Sequence, residues 1–153
     1  MNNVNIISLI AMLLVIPRAM ADIVSIERSV FTRHADYQDW MNEDNNLVAI
    51  EYVRGDFGIN ISKFNNTYGN KSKTIGASYN VFSWKHLDID LLAGAVKGYT
   101  KEQIRTVCSG EWCAYVAPRV TIKQKITDSF GVKSSAQLFG RALSVTVGVT
   151  YEF

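Results

Sequence analysis

The chain has 153 residues, a formal net charge of +2 and 48% apolar residues. With 16 basic residues against 14 acidic ones and no Lys/Arg run, it lacks the basic footprint of a nucleic-acid binder. Its two cysteines stand alone without clustered histidine, which is poor support for zinc, and no cofactor is expected.

The first element is an apolar run over residues 6–16, followed by Ala19-Met20-Ala21. The run is too short to span a bilayer as a helix. With its small-x-small site it reads as a secretory signal cleaved after Ala21. The stretch before it carries no Lys or Arg, which departs from the pattern, and a short N-terminal membrane anchor is the alternative. The expected division is a signal peptide over 1–21 and a single β-domain over 22–153.

From Asp22 onward, segments of about eight to twelve alternating residues recur between polar connections. The first strand is expected over 23–30, with Ser25, Glu27 and Ser29 on one face and Val24 and Ile26 on the other. A polar stretch from Thr32 to Asn46 comes next. The second strand is expected over 47–53, the turn at Arg54-Gly55-Asp56, and the third over 57–64. After a loop at 65–71, the fourth is expected over 73–82, then a turn at Ser83-Trp84-Lys85-His86. The fifth is expected over 87–99, with Asp88, Asp90 and Leu92 opposite Leu87, Ile89 and Leu91.

Next comes a polar loop holding Cys108 and Cys113, separated by Ser-Gly-Glu-Trp. In an oxidising compartment this pair reads as a small disulfide-closed loop; a redox pair would more often be C-x-x-C. The sixth strand is expected over 114–124, a turn at 126–129, and the seventh over 131–139. The eighth, from Ala142, alternates strictly: Leu143, Val145, Val147, Val149, Tyr151 and Phe153 against Ser144, Thr146, Gly148, Thr150 and Glu152.

The count is even, as a closed antiparallel barrel of the bacterial outer membrane requires. Connections after the first, third and fifth strands are long, and those after the second, fourth and sixth are short. The connection at Gly140-Arg141 breaks this pattern by being very short. One face of the strands is small and polar, with Glu27, Glu51, Asp88, Asp90, Arg119 and Lys123, and Lys133 as a further candidate. A narrow eight-stranded barrel has room for side chains but no pore, and paired charges would fill it. Facing water instead, the same residues would coat a soluble exported β-protein. Tyr52, Phe57, Phe82, Trp84, Tyr151 and Phe153 fall near one set of strand ends, and Phe64, Tyr68, Tyr99 and Trp112 near the other, as interfacial belts do.

Thr146, Gly148, Tyr151 and Phe153 resemble the C-terminal insertion signal of bacterial outer-membrane barrels. Taken with the signal peptide and strand pattern, the chain resembles small eight-stranded outer-membrane proteins of the outer-membrane protein X and attachment-invasion type. The stretch 110–119 also resembles barrel proteins encoded by bacteriophages of enteric bacteria. The resemblance implies a bacterial outer-membrane location, with lipopolysaccharide as surroundings and the barrel assembly machinery as a partner during insertion.

The same resemblance extends to lipid A palmitoyltransferases and deacylases, so an acyltransferase or esterase is the second reading. It needs a nucleophile, a histidine base and an orienting acid. His86 falls in a turn on the wrong side. His34 falls at the outer rim, near Asp36 and Asp39, and is a weak catalytic candidate without a complete triad. The second outer loop, 64–72, has no Asp-Ser pair, and neither His34-Ala35-Asp36 nor His86-Leu87-Asp88 gives the His-x-Ser pattern of those enzymes.

A non-enzymatic surface protein acting through its outside loops fits better, by adhesion, masking or modification of the host surface. Tyr37 and Trp40 in the first loop (33–46), and Lys101, Arg105 and Trp112 around the third (100–112), are the candidate contacts for a partner protein or lipopolysaccharide phosphates. The alternative is that these loops are only solvated.

Overall fold

A computed structural model describes residues 22–104 and 106–153. The expected signal segment, 1–21, and Arg105 lie outside the described residues. The described chain is all β: β1 (Asp22–His34), β2 (Val48–Arg54), β3 (Phe57–Asn65), β4 (Lys71–Trp84), β5 (Leu87–Lys97), β6 (Cys108–Ser109), β7 (Trp112–Lys125), β8 (Phe130–Phe139) and β9 (Ala142–Glu152). Every pairing is antiparallel. Successive strands are neighbours except β5 and β6; β5 pairs with β7, and β1 pairs with β9. The eight long strands therefore close into a barrel, with β7 and β8 pairing over Arg119–Lys125 and Gly131–Gln137. The two-residue β6 is a fold-back that pairs only with the start of β7.

The period of two assigns the faces. Ser25, Glu27, Glu51, Asn60, Thr74, Ser78, Asp88, Asp90, Arg119, Thr121, Lys133, Ser135, Ser144 and Thr146 are buried inside, while Ile26, Ile50, Ile59, Ile61, Ile75, Leu91, Val120, Ile122, Val147 and Val149 are exposed outside. Gly148 answers to this packing: a Cβ there would stand 2.3 Å from the Ile26 carbonyl oxygen and 2.8 Å from Glu27 Cγ.

Two β-bulges change the expected boundaries. The β1–β9 register slips between Ser29 and Phe31, and the β4–β5 register slips between Asn80 and Phe82. Each has the same local sequence: polar, Val, Phe, polar (Ser29-Val30-Phe31-Thr32 and Asn80-Val81-Phe82-Ser83). Both apolar residues of each pair face outward, so the extra residue reverses the parity of the strand beyond it. The first strand therefore runs past Val30 to His34, and the fourth past Phe82 to Trp84. Arg33 and His34 belong to β1 and not to the first loop. The turns are correspondingly tighter than expected, at Gly55-Asp56 and Lys85-His86. The connection at Gly140-Arg141 is a two-residue turn, with Gly140 at φ 61°, a backbone conformation that glycine adopts at no steric cost.

Phe57, Phe82, Trp84, Phe130, Tyr151 and Phe153 are exposed around the turn end. At the loop end Trp112 and Tyr68 are exposed, but Phe64 and Tyr99 turn inward against Leu92, Val96, Cys113, Tyr115 and Ala117. Those two are core residues and not belt residues, because one side of the inner face near the loops is apolar.

Candidate functional site: the lumen and its loop-end mouth

The turn-end half of the lumen is ionic. Arg119 Nη2 lies 2.8 Å from Glu51 and 3.0 Å from Asp90. Lys133 Nζ lies 2.6 Å from Glu27 and 2.9 Å from Glu51. Lys123 pairs with Asp88. Ser78 donates to Glu51 at 2.8 Å, Thr146 to Glu27 at 2.6 Å and Asn80 to Asp90 at 3.0 Å. The strands that hold Glu51 and Arg119, β2 and β7, face each other across the barrel, so the pair crosses the lumen. Two cavities of about 90 Å³ flank it, and both are lined by Glu51 and Arg119. The structure thus brings Glu27, Glu51, Asp90, Arg119 and Lys133 into one cluster, with Asp88 and Lys123 as a separate pair nearer the turns.

The loop-end half is built differently. Leu92, Tyr115 and Phe139 line one side of its cavity, and Thr32, His34, Asn45, Asn66 and Ser144 line another. Asn66, 1% exposed, joins the loops. Its Nδ2 donates to the Gly98 carbonyl at 2.8 Å, and its Oδ1 accepts from the Tyr68 and Asn70 amides at 2.9 and 3.0 Å. Asn42 Nδ2 reaches the Asn66 carbonyl at 3.1 Å, and the Asn42 amide reaches Thr67 O at 2.8 Å. First, second and third loops are therefore one hydrogen-bonded unit. Nothing in the local pattern singles out Asn66, because an asparagine in a polar loop looks like any other.

His34 is the largest departure from the sequence reading. The bulge at Val30 points its ring into the lumen, where its side chain is 6% exposed. Its partners are Thr67, at 2.8 Å from Nε2 to Oγ1, and Glu43, at 3.7 Å from Nδ1 to Oε1. Asp36 instead pairs with Arg141. Asp39, Ser29, Thr32 and Ser72 are not the ring's hydrogen-bond partners.

The expected loop contacts are dispersed. Trp40 stacks on Tyr68 with ring centroids 5.3 Å apart and lines an open cleft of about 520 Å³ at the mouth. Tyr37 and Lys101 are exposed elsewhere on the loops. Trp112 begins β7, beside the Cys108–Cys113 disulfide that staples β6 to β7. Tyr151 and Phe153 sit on the apolar exterior at the turn end.

The class these features define is a small, closed, all-antiparallel eight-stranded barrel, polar within and apolar without. No protein-family model and no curated protein matches the chain. Among solved structures it is similar to the outer membrane protein Ail of Yersinia pestis in a phospholipid nanodisc, at 13% identity and TM-score 0.48, over 88% of this chain and 99% of that one. It is also similar to a de novo designed transmembrane β-barrel, at 10% identity and TM-score 0.48, over 87% and 95% of the two chains. A third similar structure is Neisserial surface protein A, at 11% identity and TM-score 0.45, over 88% and 97%.

Proposed function

We infer that this protein is a surface barrel of the bacterial outer membrane, a sealed membrane-spanning platform that presents a hydrogen-bonded loop cluster on one side. The observation that carries this is the inverted distribution of polarity. Apolar side chains cover the outside of the wall, while ionic and small polar ones fill the turn-end lumen and share the loop-end lumen with a small apolar cluster. In water that surface would far exceed the apolar patches soluble proteins tolerate. In lipid it is the required surface, and barrel closure pairs the strand backbones with one another. The ion pairs across the lumen oppose a pore reading. Contacts with lipopolysaccharide or a partner protein would then fall to the loop end, where Trp40, Tyr37, Lys101 and Trp112 stand.

The test is electrophoretic mobility of membrane-extracted protein with and without boiling, alongside fractionation. A heat-dependent shift in the outer-membrane fraction supports the reading. A protein recovered soluble from the periplasm, with no shift, overturns it.

A further inference from the structure

The first loop and the wall beneath the loops carry opposite charge. The first loop, residues 35–47, holds Asp36, Asp39, Glu43 and Asp44 and no lysine or arginine. On the wall Lys63 stands opposite Lys73, and Lys73 opposite Lys97, so the basic residues form a collar below an acidic tip. Asp36 is met by Arg141, and Glu43 by Arg33 at 3.4 Å. Asp39 and Asp44 are exposed and have no ion-pair partner among the described residues. Their field is therefore open to a partner.

The same loop presents an aromatic surface. Trp40 is 54% exposed and stacks on Tyr68 with an interplanar angle of 25°. Its indole N–H donates to Gln38 Oε1 at 2.5 Å, so what the ring offers a partner is its open face. Tyr68 meets Tyr99 edge-on at 6.4 Å, and Tyr99 meets Phe139 at 6.5 Å. These rings line the mouth cleft of about 520 Å³, a volume in the range of ligand pockets. Elsewhere exposed rings carry the protein's own cations, Arg33 over Phe31 and Lys85 over Trp84; among the described residues none lies over Trp40 or Tyr68. The inner end of the cleft is short of a donor. His34 lines it with a side chain 6% exposed, and Nδ1 has no hydrogen-bond partner. When Nε2–H donates to Thr67 Oγ1, 2.8 Å away, Nδ1 is an acceptor, and Glu43 Oε1 beside it at 3.7 Å is another.

We propose that this cleft docks an arginine- or lysine-bearing segment of a partner protein. One cation stands over the open face of Trp40, where the ring quadrupole attracts it. A second basic side chain lays its methylene stem along Tyr68 and Tyr99 and directs its N–H donors toward the acceptors of the inner end. Asp39 and Asp44 supply the longer-range attraction that steers a basic segment to the tip and turns away a polyanion. Arginine is favoured over lysine, because a guanidinium also stacks on an aromatic face. The proposal deepens the surface-barrel reading above and rests on it for placing the loops outside the cell.

The experiment uses the full chain folded in zwitterionic detergent, with a capped, fluorescein-labelled Arg-Gly repeat peptide as the probe and fluorescence anisotropy as the readout. The wild type is expected to bind it, more weakly as salt rises, and to bind the Lys-Gly peptide less tightly. Trp40→Ala is expected to lose about tenfold or more in affinity, and Trp40→Phe less, since a ring face remains. Asp39→Asn together with Asp44→Asn weakens binding and flattens its salt dependence, while Lys73→Gln on the collar leaves it unchanged. Each variant keeps the heat-dependent mobility shift. A wild-type protein that shifts on heating yet does not bind the peptide overturns the proposal. So does one that binds a Glu-Gly peptide or a heparin fragment as tightly, or an affinity that survives Trp40→Ala. A wild-type protein that binds the Arg-Gly peptide but shows no heat shift overturns the membrane reading alone.

Discussion

The lumen toward the turns and the lumen toward the loops share one barrel but are held by different means. Toward the turns, every buried charge is matched across strands, from Glu51 and Asp90 to Arg119 and from Glu27 to Lys133. Toward the loops, apolar and aromatic groups pack on one side, and neutral amides and hydroxyls, with one imidazole, line the other. The ionic half has no spare partner to offer a ligand, because each removal strands a buried charge. The loop-end half contains an unpartnered His34 nitrogen and Asn60 Nδ2, and it opens into the cleft.

The comparison is broken most directly at Glu51. Glu51→Ala leaves Arg119 and Lys133 facing each other without their shared carboxylate, an expected loss of about 3–5 kcal/mol. Urea unfolding in detergent measures it, and a loss under about 1 kcal/mol would mean that the network does not hold this half. Next in size is Ile61→Arg, midway along the exposed face of β3. It should cost about 2–4 kcal/mol in a bilayer. The same substitution costs nothing of that order if the face meets water, so unfolding in lipid vesicles separates the two.

The loop end is probed by Asn66→Ala. Loss of a buried hub that ties three loops together should cost roughly 1–3 kcal/mol, confined to the loops. Limited proteolysis should accelerate there while the mobility shift persists. The smallest effect is expected from Cys108→Ser. Opening a loop this short removes at most about 2 kcal/mol, and the change should fall on the β6–β7 fold-back. A large drop in the whole barrel's unfolding midpoint would show that the two halves are not separable.

Much of the barrel is readable from local pattern. The inward set Ser25, Glu27, Glu51, Asp88, Asp90, Arg119 and Thr121 follows from parity alone, since in a strand the identity of a face is a local property. The bulges also leave a local trace, the paired apolar residues Val30-Phe31 and Val81-Phe82. The alternation breaks there, and a break looks like a strand end until the partner strand shows that pairing continues. For this reason the sequence puts His34 at a rim, when it is a lumen residue.

By itself, the sequence determined the number of long strands, their inner and outer faces and the placing of turns, because each depends on neighbours one or two residues away. The tertiary structure alone decided the rest. Closure of β1 on β9 and β5 on β7 set which charges meet across the lumen. The Val30 bulge turned His34 inward, and the Asn66 hub brought Thr67 to it. These are contacts between residues far apart in sequence, fixed by register and barrel closure, and no local period encodes them.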